Sequence, residues 1–193
     1  MRACGIDDEK QDEREMTFHT KKLNEAIAEA GVSLDELAAM IERPGLQPLS
    51  AVRNWTRGRM APNPKPEDVR NVARALGTVP SRIAKFDASH RWARISARKA
   101  RLVTDMIKGT DIDVALSALR FSPKRAAVFV RGALDAAISC AEENDVDITR
   151  LVVAEARVDE GPTIKRFQPK DRGRAHPIRK RTSHIVISLV ERG

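Results

Sequence analysis

Hydrophobic residues recur at helical spacing through the first three quarters of the chain and then switch to alternation. Leu23, Ile27 and Ala30 are followed by Gly31, which predicts a first helix from about Thr20. Ser33 with Glu36 forms the pattern of a capping box, opening a second helix whose buried face is Leu34, Leu37, Ala38 and Ile41. Pro44-Gly45 breaks the chain before a third helix, Leu49–Arg57, ending at Gly58. Pro62, Pro64 and Pro66 lead into a fourth helix carrying Val69, Val72, Ala73 and Leu76 and closed by Gly77, and a short turn over Ser81–Phe86 completes a five-helix unit.

The second half begins in the same way. Ser96 caps a helix with the stripe Leu102, Val103, Met106 and Ile107, stopped by Gly109. A shorter helix runs from Asp111 through Leu119. Ser122-Pro123 offers an N-cap and a first-turn proline for a long helix to about Asn144, in which Ala126, Val130, Ala133, Ala137 and Ala141 imply close packing. The period then becomes two. Val152, Ala154, Ala156 and Val158 face one side of a strand with Arg157 and Asp159 on the other, and Ile185, Ile187 and Leu189 mark an antiparallel return strand.

Residues 1–15 hold Asp7, Asp8, Glu9, Asp12 and Glu13 with almost nothing apolar, and are expected to form a disordered acidic tail. Charge then separates the rest. Residues 1–89 contain 14 Lys/Arg and 14 Asp/Glu, whereas residues 90–193 contain 21 and 13, so the whole net charge of +8 lies in the second half. The expected organisation is therefore a tail over 1–15, an all-α domain over 16–89, and an α+β domain over 90–193. In the last of these, three helices pack on a small antiparallel sheet with a long extended β-hairpin over 157–185.

A basic half favours a polyanionic partner, because neutralising phosphates releases condensed counterions. No apolar run approaches the roughly 18 residues of a spanning helix, and the acidic start is unlike a signal peptide, so a cytosolic protein without a membrane anchor is expected. Cys4 and Cys140 stand too far apart in sequence to suggest a disulfide framework or a zinc motif. With aromatics at 4% and no tyrosine, base-stacking platforms are not expected, and RNA binding should rest on phosphates and shape.

Between the last two strands lies a polar stretch, Gly161 to Lys180. From Ile164 to Arg181 it carries eight basic residues, Lys165, Arg166, Lys170, Arg172, Arg174, Arg179, Lys180 and Arg181, against the single acid Asp171. Drawn out as a ribbon of about ten residues a side, it would reach some 30 Å from the sheet at about 3.3 Å per residue. Pro162, Pro169 and Pro177 limit its chain entropy. A preformed RNA ligand is the expected use.

The run from Val158 to Arg166 (Val-Asp-Glu-Gly-Pro-Thr-Ile-Lys-Arg), Gly173-Arg174-Ala175, and Arg179 to Ile185 (Arg-Lys-Arg-Thr-Ser-His-Ile) resemble bacterial large-subunit ribosomal protein twenty-two. So do Ser96 to Val103 (Ser-Ala-Arg-Lys-Ala-Arg-Leu-Val) and Ala141-Glu142-Glu143-Asn144, and the likeness covers about Arg91 to Arg192. It implies a structural constituent of the large subunit that binds large-subunit (23S) rRNA, aids assembly, and lines the polypeptide exit tunnel with its hairpin tip. Expected rRNA contacts are Arg94, Arg98, Lys99 and Arg101 together with the eight basic hairpin residues. Expected tunnel-lining residues are Lys165, Arg166, Gly173, Arg174 and Ala175, with the nascent polypeptide and neighbouring ribosomal proteins as further partners. Asp171 and His176-Pro177 depart from the family pattern.

Residues 16–89 resemble instead the lambda-repressor-like helix-turn-helix group, through Leu37-Ala38 and Trp55-Thr56-Arg57-Gly58. That likeness implies a third helix presenting Ser50, Arg53, Asn54 and Arg57 to nucleic acid, with Trp55 in the core. Glu42–Pro48 is longer than the usual turn of that motif. DNA-binding regulation is the alternative function, and a grip on rRNA or a neighbouring protein is the other use of the same helices.

No enzyme is expected. Asp159 and Glu160 are adjacent on a strand and face opposite ways, while His19, His90, His176 and His184 lack metal-ligand spacing. No cofactor and no metal are called for.

Overall fold

The computed structural model describes residues 12–41 and 43–192. Of the expected tail, residues 1–11 lie outside the described residues. Residues 12–15 do not belong to a tail: they begin a strand, β1, over Asp12–Phe18. Met16, Thr17 and Phe18 are all buried, and Phe18 meets Trp55 with ring centroids 5.1 Å apart. The polar look of 12–15 conceals the strand because its apolar anchors come only at its end.

Helices α1 (Thr20–Ala30), α2 (Leu34–Ala39), α3 (Pro48–Thr56), α4 (Pro66–Ala75) and α5 (Pro80–Ile83) follow. The capping box at α2 forms as its sequence predicts: the Glu36 amide donates to Ser33 Oγ, and the Ser33 amide donates to Glu36 Oε2. Gly31 closes α1 at φ 64°, a left-handed turn that glycine adopts without strain. The chain does not stay helical to Phe86. At Ala84 it becomes strand β2 (Ala84–Ala93), with Ala84, Phe86, Ala88 and Ala93 buried. Small alanines read as helix, but here they are the inward positions of a strand.

The domain boundary expected at 89/90 thus falls inside one strand. β1 and β2 pair antiparallel with Phe18 opposite Ala84 and Met16 opposite Phe86, so the five helices form an insertion between two neighbouring strands. The helical unit and the sheet share one continuous core, from Leu37, Trp55 and Val69 to Leu134 and Ile187. Polar ties join them as well. Lys22 Nζ donates to the Glu191 carbonyl on the last strand and Arg70 donates to Asn144 Oδ1 at 3.0 Å, while the two ends of the insertion are tied by the His19 amide donating to the Ile83 carbonyl at 2.9 Å.

The remaining helices are α6 (Ala97–Ile107), α7 (Ile112–Phe121) and α8 (Ala126–Glu142). On α6 the buried residues are Ala97, Ala100, Val103, Thr104 and Ile107, while Leu102 and Met106 are exposed, a correction to the predicted stripe. Ser122-Pro123 does not cap α8. Ser122 instead ends α7, and α8 starts after Arg125. The alanines of α8 let it lie close against β2, β1 and the strand over Ser183–Glu191, with Ala133, Ala137 and Ala141 fully buried.

β3 (Leu151–Glu160) and β6 (Ser183–Glu191) complete a four-stranded sheet of order β1-β2-β6-β3. The simple alternation expected for β3 is broken. Val153 pairs with Leu189 but Glu155 pairs with Ser188, so Ala154 is an extra residue in a bulge. Leu151 and Val153 point inward before it, Ala156 and Val158 after it, and Val152 and Ala154 are displaced from the core.

Two outcomes follow. Phe18→Ala should cost about 3–5 kcal/mol, the range for emptying a buried aromatic site, and urea unfolding should remain one transition because helices and sheet share a core. His19 caps α1 by accepting the Lys22 amide at Nδ1, 3.3 Å away. Burial, with Lys22, Lys85 and Lys21 nearby, holds its pKa below the ordinary 6.5. The unfolded chain therefore takes up the proton first, so this contribution is complete above about pH 6.5 and is lost as pH falls from there towards the folded value. His19→Asn, which caps without titrating, should lose less thermal stability than the native chain between about pH 7.5 and about pH 5.5.

Candidate nucleic-acid interface

Beyond β3 the chain leaves the core. β4 (Ile164–Pro169) and β5 (Ala175–Lys180) form a separate antiparallel ribbon in which no residue is buried. Its register runs from Ile164 opposite Lys180 to Pro169 opposite Ala175. Six residues a side give about 20 Å of paired ribbon at about 3.3 Å each, shorter than the reach drawn from the whole polar stretch. The turn is Asp171–Gly173, with Arg172 and Gly173 both left-handed at φ 58° and 69°. The Lys170 amide donates to the Arg174 carbonyl at 2.8 Å and closes it.

Directly opposed residues of an antiparallel pair share a face, so the register assigns the charges. Arg166 and Lys180 lie on one face with Ile164 and Ile178. Lys165 and Arg179 are opposite each other on the other face, beside Phe167, which is 75% exposed. The Lys165–Arg179 pair repels, and none of the eight basic residues has an ion-pair partner among the described residues. The ribbon carries a positive charge that nothing among the described residues neutralises.

The ribbon is clamped at its root. Thr182, itself buried, donates from Oγ1 to the Pro162 carbonyl at 2.6 Å, and the Gly161 amide donates to the Thr182 carbonyl at 3.0 Å. A Cβ on Gly161 would sit 2.6 Å from Thr182 Oγ1 and 3.0 Å from His184 Nε2, so only glycine allows this approach. The first turn of α6 closes the other side: Ala97 shares a cleft of about 220 Å³ with Glu160, Gly161, Thr163, Arg179, Arg181 and Thr182.

Arg94, in the connection between β2 and α6, and Arg98 and Lys99, on α6, are exposed. Arg101 is partly engaged, donating from Nη2 to the Val158 carbonyl at 3.3 Å. Gly173, Arg174 and Ala175 come together at the ribbon tip. Lys165 and Arg166 do not join them: they lie at the root end, with Lys165 about 13 Å along the strand from Pro169 at about 3.3 Å per residue. On α3, Ser50 Oγ donates to the Gln47 carbonyl and Asn54 Nδ2 to the Ala61 carbonyl, while Arg53 and Arg57 are exposed. α2 ends at Ala39 and α3 starts at Pro48.

Sequence reasoning missed the root clamp and two exposed rings, Trp92 and Phe167. Gly161-Pro162 directly after a strand was the available signal for the clamp. No signal marked Trp92, whose exposure depends on a bulge in the β2–β6 ladder between His90 and Ala93.

A family model described as Ribosomal protein L22p/L17e matches residues 88–190, more than half of the chain. The chain belongs to the ribosomal protein L22p/L17e family. Membership makes it a ribosomal protein of the large subunit with a structural role, in a family that is not enzymatic and that associates with rRNA and other ribosomal proteins. The match takes in α6, α7, α8, β3, the ribbon and nearly all of β6. β1, the five inserted helices and the first four residues of β2 precede it. Among the described residues no helix is long and apolar enough to cross a membrane.

Gly161→Ala should destabilise the chain by about 1–3 kcal/mol, the usual penalty for overpacking a filled site. Thermal unfolding of Gly161→Ala in the native chain and in a Thr182→Ala background, where the Oγ1 position is empty, checks whether the close contact is the cause. If Gly161→Ala costs as much in that background as in the native chain, the close contact with Oγ1 is not what constrains this position.

Proposed function

We propose that the chain binds large-subunit (23S) rRNA through its basic ribbon and α6, aids assembly of the subunit, and contributes its ribbon tip to the polypeptide exit tunnel. The observation that carries this reading is the unneutralised charge on a ribbon with no core of its own. An isolated two-stranded ribbon is marginal in water, and like charges facing each other weaken it further. Phosphates on both sides reverse that sign. Lys165, Arg166, Lys170, Arg172, Arg174, Arg179, Lys180 and Arg181 are the proposed ribbon contacts, with Arg94, Arg98, Lys99 and Arg101 at its base.

Within this reading the tip residues Gly173, Arg174 and Ala175 face the nascent polypeptide. Lys165 and Arg166, nearer the root, line a different level of the same passage. Residence is on cytoplasmic ribosomes. Neighbouring large-subunit proteins meet the remaining surface.

The second reading assigns nucleic-acid contact to the inserted helices. Arg53 on α3 and Arg57 at its C-terminal cap stand four residues apart, exposed and without an acidic partner among the described residues, and no acid occurs between Arg43 and Lys65. Ser50 and Asn54 bond to their own backbone, which favours phosphate contact over base reading. A regulator of transcription would need a specific DNA operator. Fractionation separates the uses: the ribosomal role expects stoichiometric presence in purified large subunits, whereas a repressor would be found mainly off the ribosome.

With about four phosphates contacted, binding of an rRNA fragment should fall with salt at a log–log slope near −3, taking about 0.7 per contact for single strands. A flat salt response would contradict phosphate contact. Lys165→Ala with Arg179→Ala should weaken binding and reduce the slope by about one to two, because a directly opposed basic pair is removed.

A further inference from the structure

The chain has two tryptophans in opposite settings: Trp55 is 1% exposed and Trp92 is 52% exposed. Trp92 is also the more unusual in backbone. Its φ of 63° lies in the left-handed region that bulky side chains rarely adopt, within the bulge between His90 and Ala93. The conformation is fixed rather than loose. The Trp92 amide donates to His184 Nδ1 at 3.2 Å, and the two rings meet at 83° with centroids 5.0 Å apart. A strained bulge thus holds a large ring out in solvent beside the ribbon root.

What surrounds that ring decides which partner fits. Ala93 pairs with Ser183, and the next positions along the two chains lead to Arg94 and Thr182-Arg181. Arg94 and Arg181 are exposed and have no ion-pair partner among the described residues. An exposed indole with an arginine two residues on, at Arg94, and another near it across the ladder, at Arg181, suits a nucleotide, whose base stacks on the ring while its phosphates meet the charges. A base in a duplex has no free face to offer. We propose that Trp92 stacks on an unpaired nucleobase of RNA, with Arg94 and Arg181 on the flanking phosphates. This rests on the RNA-binding reading above and adds a stacking site where the aromatic content had argued against one.

Because Trp55 is buried, indole fluorescence of the full chain reports ligands at Trp92. A short single-stranded oligoribonucleotide should quench it, whereas inorganic polyphosphate, which offers charge without bases, should leave it nearly unchanged. Trp92→Gly relieves the left-handed strain, so it should melt no lower than the native chain. Its affinity for the oligoribonucleotide should nevertheless fall roughly ten- to hundredfold, and Trp92→Phe should restore most of the loss. Equal quenching by polyphosphate, or unchanged affinity in Trp92→Gly, overturns the stacking site while leaving RNA binding by the ribbon intact. Failure of the native chain to bind the oligoribonucleotide at all overturns both.

Discussion

A ribbon whose charges repel cannot hold itself straight, so everything about its use depends on how it is joined to the sheet. The joint is small. Gly161, Pro162 and Thr182 meet within hydrogen-bonding distance, and the missing Cβ of Gly161 permits the approach. Behind them β3 and β6 are anchored by buried Val158 and Ile185, so the ribbon leaves a rigid edge rather than a floppy loop. Orientation comes from the core and attraction comes from the charges. Neither alone would deliver the ribbon to a defined place in an RNA fold.

The inserted helices change the sheet that supports this joint. β1 and the start of β2 extend the sheet away from the ribbon, and Phe18 against Trp55 ties the helices to it. Because residues 19–83 begin and end on adjacent strands, the helical unit is held at both ends and shares the core. That is a more constrained arrangement than a module on a linker. Its exposed Arg53 and Arg57 are therefore carried on the same core as the root of the ribbon.

Much of the helical architecture could be read from residues. The Ser33–Glu36 box, the glycines after α1 and α4, and the alanine face of α8 are local signals with local causes, and each appears where the spacing places it. The ribbon was legible too, since eight basic residues between alternating strands leave few alternatives. The failures share a cause. β1 and β2 are short on β-branched residues, and their strand character comes from pairing with each other and with β6, which no local pattern encodes. Alternation puts Val152 and Ala154 on one face with Ala156 and Val158, because a bulge that shifts the phase of β3 leaves no mark on composition.

The sequence by itself determined the helices, the basic ribbon and its separation of charge, because those depend on side chains close along the chain. Only the tertiary structure decided that the helices interrupt a strand pair, that Lys165 and Arg166 stand apart from the tip, and that Trp92 faces solvent. Each of these depends on which distant strand lies alongside and in what register. Register follows from the packing of the whole sheet.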